Sequence, residues 1–277
     1  MGSKRVWVAL SALGLVAGLS CSGPADAPDS GVPDAALDAA TIIVDAAVDA
    51  ARDAAAMVDA GPQVVPCSDL RETFGSPVML QQATATLAQT FDNGPYLPAN
   101  AIDGSDSTGW AISPTVGSTT TPAQTAAFET VTDTASFGTG TRLVIVLAQR
   151  FANEHGLGRF RLSVTTADRS QFADGVSGVS TPGNIGPDNI WTVLTPRRMC
   201  STNSAMMTLL GDRSVLVQDL DTNVMDYTIE ADTSLSAITG VRLETLNDAS
   251  LPRGGPGLQN TNGNFVLSEL RVRVGAQ

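Results

Sequence analysis

Residues 159–164 read Arg-Phe-Arg-Leu-Ser-Val, and residues 270–274 read Leu-Arg-Val-Arg-Val. Both stretches alternate polar and apolar side chains. Because successive side chains of a β-strand point to opposite faces of a sheet, this alternation predicts strands with one buried face. From Cys67 onward, other short runs rich in Val, Ile, Thr, Leu and Phe are separated by clusters of Gly, Pro, Asn, Asp and Ser. The pattern predicts an all-β fold, an antiparallel sandwich or jelly roll.

Two pairs of similar segments indicate an internal repeat. Residues 139–143 (Thr-Gly-Thr-Arg-Leu) resemble residues 239–243 (Thr-Gly-Val-Arg-Leu), and residues 158–163 resemble residues 263–268 in the same order. Shared order and similar spacing favour a tandem duplication over two chance matches.

The repeat predicts two sandwich modules, at residues 67–170 and 188–277, joined by a linker at 171–187. Each module has about a hundred residues, which is enough for one small sandwich core. The alternative is a single jelly roll whose two ends are separated by an insertion around residues 170–235.

Residues 1–20 have the layout of a signal peptide, with Lys4 and Arg5 before an almost wholly apolar run at 6–19. That run is too short for a membrane span, which needs about 20 apolar residues. Residues 18–21 (Gly-Leu-Ser-Cys) resemble a bacterial lipobox. The resemblance implies a lipid on Cys21 and, with Ser rather than Asp next, an outer-membrane lipoprotein. Secretion without a lipid is the alternative.

Residues 21–66 are predicted to form a disordered tether rich in Ala and Asp. Residues 22–66 hold eight Asp, one Arg and no Glu. Like charges four residues apart repel on a helix, and the segment has no apolar stripe to bury. The formal net charge of the chain is −12, and the tether carries about half of the mature negative charge, so the rest is only mildly acidic. Nucleic acid is therefore not expected as a partner, and membrane contact is expected through the lipid anchor only.

Cys67 and Cys200 are the two cysteines that remain if Cys21 carries a lipid. In an oxidising compartment two such thiols are expected to pair, so a disulfide between them is predicted. Two buried free thiols are the alternative, because the sequence does not fix the distance between their α-carbons.

Residues 83–85 (Ala-Thr-Ala) and 101–110 (Ala-Ile-Asp-Gly-Ser-Asp-Ser-Thr-Gly-Trp) resemble the start of discoidin-like modules, the coagulation factor 5/8 C-domain family. Residues 265–272 (Phe-Val-Leu-Ser-Glu-Leu-Arg-Val) resemble the strand that closes these modules. Residues 251–257 and 263–269 are similar to stretches of planctomycete multidomain proteins that contain such modules. The resemblance implies a galactose-binding-like jelly roll.

The turn at residues 103–110 is the best candidate site. In discoidin-like carbohydrate-binding modules the equivalent turn often holds a structural calcium ion, with one carboxylate from the last strand. The resemblance implies Asp103, Asp106 and Thr108 as ligands, joined by Glu129 or Glu269 depending on the domain division. Calcium requires clustered oxygen atoms. The alternative is a tight turn closed by its own Asp side chains, with a positive φ at Gly104.

Tyr96 and Trp110 are the candidate ligand-binding aromatics, because carbohydrate-binding modules commonly stack an exposed ring on a sugar. Tyr96 lies between Pro95 and Leu97 in a proline-framed loop, which favours exposure. Trp110 lies in an apolar run, so packing in the core is the alternative for it.

Catalysis finds little support in the sequence. His155 is the sole histidine, and no Gly-x-Ser-x-Gly motif accompanies it, so neither a nucleophilic triad nor a zinc site is expected. We expect a non-enzymatic binding module, anchored to the cell envelope, that recognises a cell-surface or extracellular polysaccharide. The alternative is a structural or assembly lipoprotein that docks an envelope protein, and an enzyme of unknown type is a weaker third option.

Overall fold

A computed structural model of the protein describes residues 61–70, 74–90, 96–113, 120–151, 154–218 and 224–277. These residues lie within one compact unit, Ala60–Gln277. The predicted signal peptide, Cys21 and nearly all of the predicted tether lie outside the described residues. No helix in the described part of the chain is long and apolar enough to cross a membrane.

Strands and short 3₁₀ turns make up the described secondary structure. In chain order the strands are β1 (Gln63–Val64), β2 (Ser76–Val78), β3 (Leu80–Ala85), β4 (Trp110–Ala111), β5 (Gln124–Thr130), β6 (Thr141–Gln149), β7 (Arg159–Thr165), β8 (Thr192–Val193), β9 (Pro196–Ser201), β10 (Met206–Leu209), β11 (Val215–Gln218), β12 (Met225–Thr233), β13 (Gly240–Thr245), β14 (Val266–Leu267) and β15 (Glu269–Ala276). The 3₁₀ turns are Cys67–Asp69, Pro98–Ala101, Arg169–Gln171, Asp188–Ile190 and Pro252–Gly254.

The strands form two main sheets. The first has the order β1-β9-β12-β6-β15-β2, and the second has the order β10-β11-β7-β13-β5-β3, with β8 beside β7. A small third sheet pairs β14 with β4. Neighbouring strands are antiparallel except for β1 and β9, which are parallel. The predicted all-β, antiparallel sandwich is confirmed.

The prediction of two tandem modules is wrong, because both sheets mix strands from the two halves of the chain. In the first sheet β6 lies between β12 and β15, and in the second sheet β13 lies between β7 and β5. Neither half therefore has a sheet of its own. The described strands form a single sandwich, as the alternative has it, but residues 170–235 are not an insertion, because β8 to β12 belong to its two sheets.

The alternating side chains meet between the two sheets. Phe160 of β7 stacks on Tyr227 of β12 with ring centroids 5.9 Å apart, and both rings are fully buried. Leu162 and Val164 follow Phe160 into the same core, as the alternation predicts.

Residues 61–70 lie against β9 near one edge of the first sheet, with β1 as the edge strand, and residues 74–75 lie against β15 near the other edge. Cys67 is disulfide-bonded to Cys200 of β9, with α-carbons 5.3 Å apart. Leu70 is buried beyond this bond. Farther along, the guanidinium of Arg273 donates hydrogen bonds to the carbonyls of Phe74 (2.9 Å) and Gly75 (2.7 Å). We call this segment the strap.

Residues 171–187, predicted as a linker, instead pack on the second sheet. Phe172 and Ala173 are buried with Trp191 against the outer face of β5. The backbone of this segment also hydrogen-bonds to the edge strand β3, through Ala85 to Val176 and Gly183 to Ala85. The segment therefore covers an edge and part of a face, which a free linker would leave exposed.

The two ends of β6 mark the two ends of the sandwich. Because β6 has nine residues, these ends lie about 26 Å apart along the strand. Tyr96, His155 and Val266 belong to segments that meet at the Gln149 end. Phe137 and Ser234 belong to segments that meet at the Thr141 end.

Candidate functional site

The turn at residues 103–108 is built around the carboxylate of Asp103. Its Oδ1 accepts a hydrogen bond from the Ser105 amide (2.9 Å), and the Thr108 hydroxyl donates to Oδ2 (2.8 Å). Gly104 has a φ of +81°, which favours glycine because a side chain strains this conformation. These contacts close the turn as the tight-turn alternative requires.

Glu269, the first residue of β15, meets this turn from the neighbouring strand. Its Oε1 accepts hydrogen bonds from the amides of Gly104 (2.7 Å) and Ser105 (3.0 Å). Burial raises the pKa of Glu269, the two amides act against this, and a hydrogen bond with the Asp103 carboxyl raises the pKa further. The fold thus brings two carboxyl groups together where both cannot carry a charge without repulsion.

Two of the residues predicted as metal ligands have other partners. Asp106 forms an ion pair with Arg150, 2.8 Å between Oδ2 and the guanidinium. Glu129 lies on β5 in the second sheet, where it accepts a hydrogen bond from Gln81. Glu269 rather than Glu129 therefore meets the turn, and the use of Asp106 as a metal ligand stays a prediction.

Asp103, Thr108 and Glu269 remain as oxygen donors that would hold a calcium ion. Their chemistry fits a hard cation, which would also relieve the repulsion between the two carboxylates. No cluster of three or more His, Cys, Asp or Glu side chains suited to a metal occurs among the described residues. The turn's backbone carbonyls would have to complete the coordination. Calcium binding stays a prediction.

Melting temperatures should report on this carboxyl pair. A group whose pKa is raised in the folded state stabilises the fold at low pH, and this contribution is lost as pH rises through the raised pKa. The ordinary value for Glu269 is 4.5. In chelator, wild type should therefore lose stability relative to Glu269→Gln as pH rises from about 4.5 to 7.

Calcium at a hundredfold excess over its dissociation constant should stabilise the fold of wild type by about 2.7 kcal/mol.

Glu269→Gln serves as the control for calcium, because it keeps the side chain's shape and removes one of the two carboxylates. Its melting temperature should respond weakly to calcium. An unchanged wild-type melting temperature with and without chelator would remove the calcium prediction. A gap between the two proteins that does not change with pH would contradict the coupling of Glu269 to Asp103.

Both predicted ligand-binding aromatics are buried, so neither offers a ring face to a ligand. Trp110 is fully buried, packs edge-on against Phe265 with centroids 5.2 Å apart, and donates its indole hydrogen bond to the Leu87 carbonyl (2.9 Å). Tyr96 is 9% exposed and packs with Ala111 and Val266. The expectation of an exposed Tyr96 and a sugar-stacking Trp110 is wrong.

Phe151 is the exposed aromatic that the sequence reasoning missed. It lies two residues after the end of β6, and 37% of its surface is exposed. Tyr96 packs against it in a T-shaped arrangement with ring centroids 5.5 Å apart. His155 makes a second T-shaped contact with the same ring, with centroids 6.3 Å apart. The signal in the sequence was a lone aromatic in a polar loop, between Arg150 and Glu154.

The loop that carries Phe151 is anchored to the core on both sides. The side chain of Gln149 accepts a hydrogen bond from the Leu157 amide, which closes the base of the loop. The buried hydroxyl of Tyr227 donates to the Leu157 carbonyl (3.0 Å). The His155 carbonyl accepts from the amide of Val266 (2.9 Å). The described parts of the loop are therefore fixed before any ligand arrives.

Arg150 ties this loop to the turn at residues 103–108. Its guanidinium forms a two-pronged ion pair with Asp226 of β12 and a second ion pair with Asp106. The hydrogen bond with Asp226 is the main cause that raises the pKa of Arg150. Arg271 also lies 3.7 Å from Asp226, so two carboxylates and two arginines balance one another in this cluster.

Two buried side-chain oxygens in these loops have no hydrogen-bond partner: Gln89 Oε1 and Asn264 Oδ1. Gln89 pairs with Tyr96 through an antiparallel bridge, which places both side chains on the same face. Asn264 comes two residues before Val266, which packs on Tyr96. An unpaired buried acceptor costs about 1–3 kcal/mol, so such atoms mark places where an additional donor would be favourable.

Among known proteins, the structure of this chain is distantly similar to several solved structures. No family model matches the chain, and no curated protein matches it. The likeness is to carbohydrate-binding modules. A family 32 module of Clostridium perfringens NanJ in complex with galactose is 13% identical, with a TM-score of 0.37, and covers 72% of this chain and 98% of the module.

Two further structures are similar at the same level. The third family 32 module of a family 31 glycoside hydrolase from Clostridium perfringens is 12% identical, with a TM-score of 0.40 and coverage of 70% and 94%. A structure of the Streptococcus pneumoniae β-galactosidase BgaA is 13% identical, with a TM-score of 0.39 and coverage of 78% and 97%. The likeness is distant, so the fold and the site are assigned from the strand pairings and contacts above.

Proposed function

We propose that this chain is a non-catalytic carbohydrate-binding module that holds a sugar ring on Phe151 at the Gln149 end of the sandwich. The observation that carries the proposal is the exposed Phe151 ring, fixed by Tyr96 and His155 on an anchored loop. Sugar-binding surfaces need an apolar ring against which the C–H face of a sugar packs, and a few polar groups for its hydroxyls.

The polar groups around Phe151 suit a neutral sugar. His155 contacts the ring directly. The positive charge of Arg150 is balanced by its ion pairs with Asp106 and Asp226. A neutral ligand therefore avoids the free-energy cost of removing a charge from water, and its hydroxyls can form hydrogen bonds with the polar groups here.

Envelope anchoring is part of the same proposal and rests on the N-terminal sequence alone. A lipid on Cys21 would hold the chain at the outer membrane, and residues 22–60 would act as the spacer, because residues 61–66 belong to the strap. At roughly 3 Å per residue if extended, such a spacer would reach about 120 Å. That reach would carry the module to polysaccharide beyond the membrane surface.

Truncation of Phe151 tests the proposal. Galactose is the first probe, followed by a glycan array. Phe151→Ala is expected to weaken binding at least tenfold, about 1.4 kcal/mol, because the stacking face is lost. Phe151→Trp should retain binding, since it keeps an aromatic face. Binding would be measured by calorimetric titration at fixed salt.

Met79→Ala is the matched control, because Met79 is a 70% exposed apolar side chain in a different cleft, which Gly104 and Glu269 line and Phe151 does not. It should bind as wild type does. Full retention of affinity in Phe151→Ala would move the site elsewhere. A wild-type protein that binds no glycan, yet retains one envelope protein in stoichiometric amounts, would replace the proposal with the assembly role.

A further inference from the structure

A second cleft lies at the Thr141 end, on the opposite end of β6 from Phe151. Its volume is about 410 Å³, within the range of about 300–1,000 Å³ found for small-molecule sites. Most of the residues that line it are Ser, Thr or Gln, which carry hydroxyl or amide groups, or Gly, which has no side chain. The lining residues are Phe137, Gly138, Thr139, Gly140, Asp232, Thr233, Ser234, Ser236 and Gln277. We call it the hydroxyl cleft.

Asp232 is the only charged side chain in this lining, and arginines hold both of its oxygens. Arg142 donates to Oδ1 (2.8 Å) and Oδ2 (3.1 Å), and Arg197 donates to Oδ2 (3.2 Å). The hydrogen bond with Asp232 raises the pKa of Arg142. The carboxylate is therefore neutralised and fixed in orientation, with lone pairs still available to a hydroxyl donor.

Other polar groups of the cleft are held in place by the backbone. Gln277 donates from its side chain to the Thr233 carbonyl (2.9 Å), and its amide donates to the Gly140 carbonyl (3.3 Å). The Thr233 hydroxyl accepts from the Leu235 amide (3.2 Å), which shapes the turn that carries Ser234. The half-buried ring of Phe137 gives the cleft one apolar wall.

This combination fixes the chemical class of the ligand. A free cation gains little from a carboxylate that two arginines already neutralise. An anion gains little from those arginines, because Asp232 and Glu230 already pair with both. An apolar ligand would leave hydroxyl and amide groups without partners. A neutral molecule with several hydroxyls satisfies these groups and packs on Phe137.

We propose that the hydroxyl cleft is a second saccharide site, which takes a neutral sugar residue through Asp232, Ser234 and Ser236 with Phe137 as its apolar wall. The site stands on its own lining and does not depend on binding at Phe151. Two sites about 26 Å apart along β6 would let one module bridge two segments of polysaccharide. Such bivalent attachment raises avidity without any new contact.

Amide chemical shifts test the second site separately from the first. The labelled protein is titrated with D-galactose, D-glucose, D-mannose and N-acetylglucosamine, with glucuronic acid as the charged comparator. The amides of Gly138, Gly140, Ser234 and Ser236 are expected to shift in a saturable way with at least one neutral sugar. These shifts should persist in Phe151→Ala, which removes the other site.

The double variant Ser234→Ala/Ser236→Ala removes two hydroxyls and keeps the ion pairs of Asp232. It is expected to weaken binding at the cleft at least tenfold while shifts near Phe151 remain. The proposal is overturned if none of the four neutral sugars shifts the cleft amides. It is also overturned if the double variant binds unchanged, or if glucuronic acid binds more tightly than the neutral sugars.

Discussion

Trp110→Ala is expected to lower the free energy of unfolding by about 3–5 kcal/mol, the range measured for large-to-small changes in well-packed cores. Trp110 is fully buried against Phe265, and its indole donates to the Leu87 carbonyl. The substitution removes the ring and leaves a buried carbonyl without its donor. Equilibrium unfolding in denaturant, followed by circular dichroism, measures the loss.

The exposed Met79 again supplies the comparison, since Met79→Ala should change stability by less than about 0.5 kcal/mol. The measurement also separates the two hypotheses for Trp110. A Trp110→Ala protein with nearly wild-type stability and no glycan binding would restore the sugar-stacking role. Lost stability, with binding retained in the fraction that folds, is the result that core packing requires.

Removal of the disulfide, by Cys67→Ser with Cys200→Ser, is expected to cost about 2–4 kcal/mol. The bond closes a loop between residues separated by 133 positions, so it restricts the unfolded chain strongly. It also fixes the strap, whose remaining described contacts include the hydrogen bond from Arg198 to the Asp69 carbonyl. Thermal melts of the oxidised protein and the double variant give the difference.

Hydrogen exchange locates the effect of that change. In the double variant the amides of the strap should lose protection first, while those of β6 and β12 keep theirs, because the sandwich core does not contain the strap. Equal protection of the strap with and without the disulfide would show that its hydrogen bonds alone hold it. A free thiol count in the wild-type protein checks that the bond forms.

Local sequence pattern predicted the strands but not their partners. The alternation at residues 159–164 and 270–274 predicted β7 and β15, and both strands bury their apolar faces. The repeat between residues 139–143 and 239–243 marks the starts of β6 and β13, which lie in different sheets. Similar strand starts imply similar local structure, whereas pairing between distant strands depends on the whole sandwich.

At the candidate site too, the sequence predicted the local turn but not the contacts between distant parts of the chain. The motif around Asp103 predicted the turn, and Thr108, which was predicted as a metal ligand, donates to the Asp103 carboxylate within it. The sequence left Glu129 and Glu269 as equal candidates, because only the strand order decides which one reaches the turn. The sequence favoured Tyr96 as the exposed aromatic and did not single out Phe151, since exposure of a loop aromatic depends on what packs over it.

The measurement that tests the central claim most directly is a titration of wild type, Phe151→Ala and Phe151→Trp with the glycan that wild type binds best. The claim is that a sugar ring packs on Phe151 at the Gln149 end. Wild type and Phe151→Trp should bind with similar affinity, and Phe151→Ala should bind at least tenfold more weakly with unchanged melting temperature. Equal affinities for all three proteins, or no binding of any glycan by folded wild type, would contradict the claim.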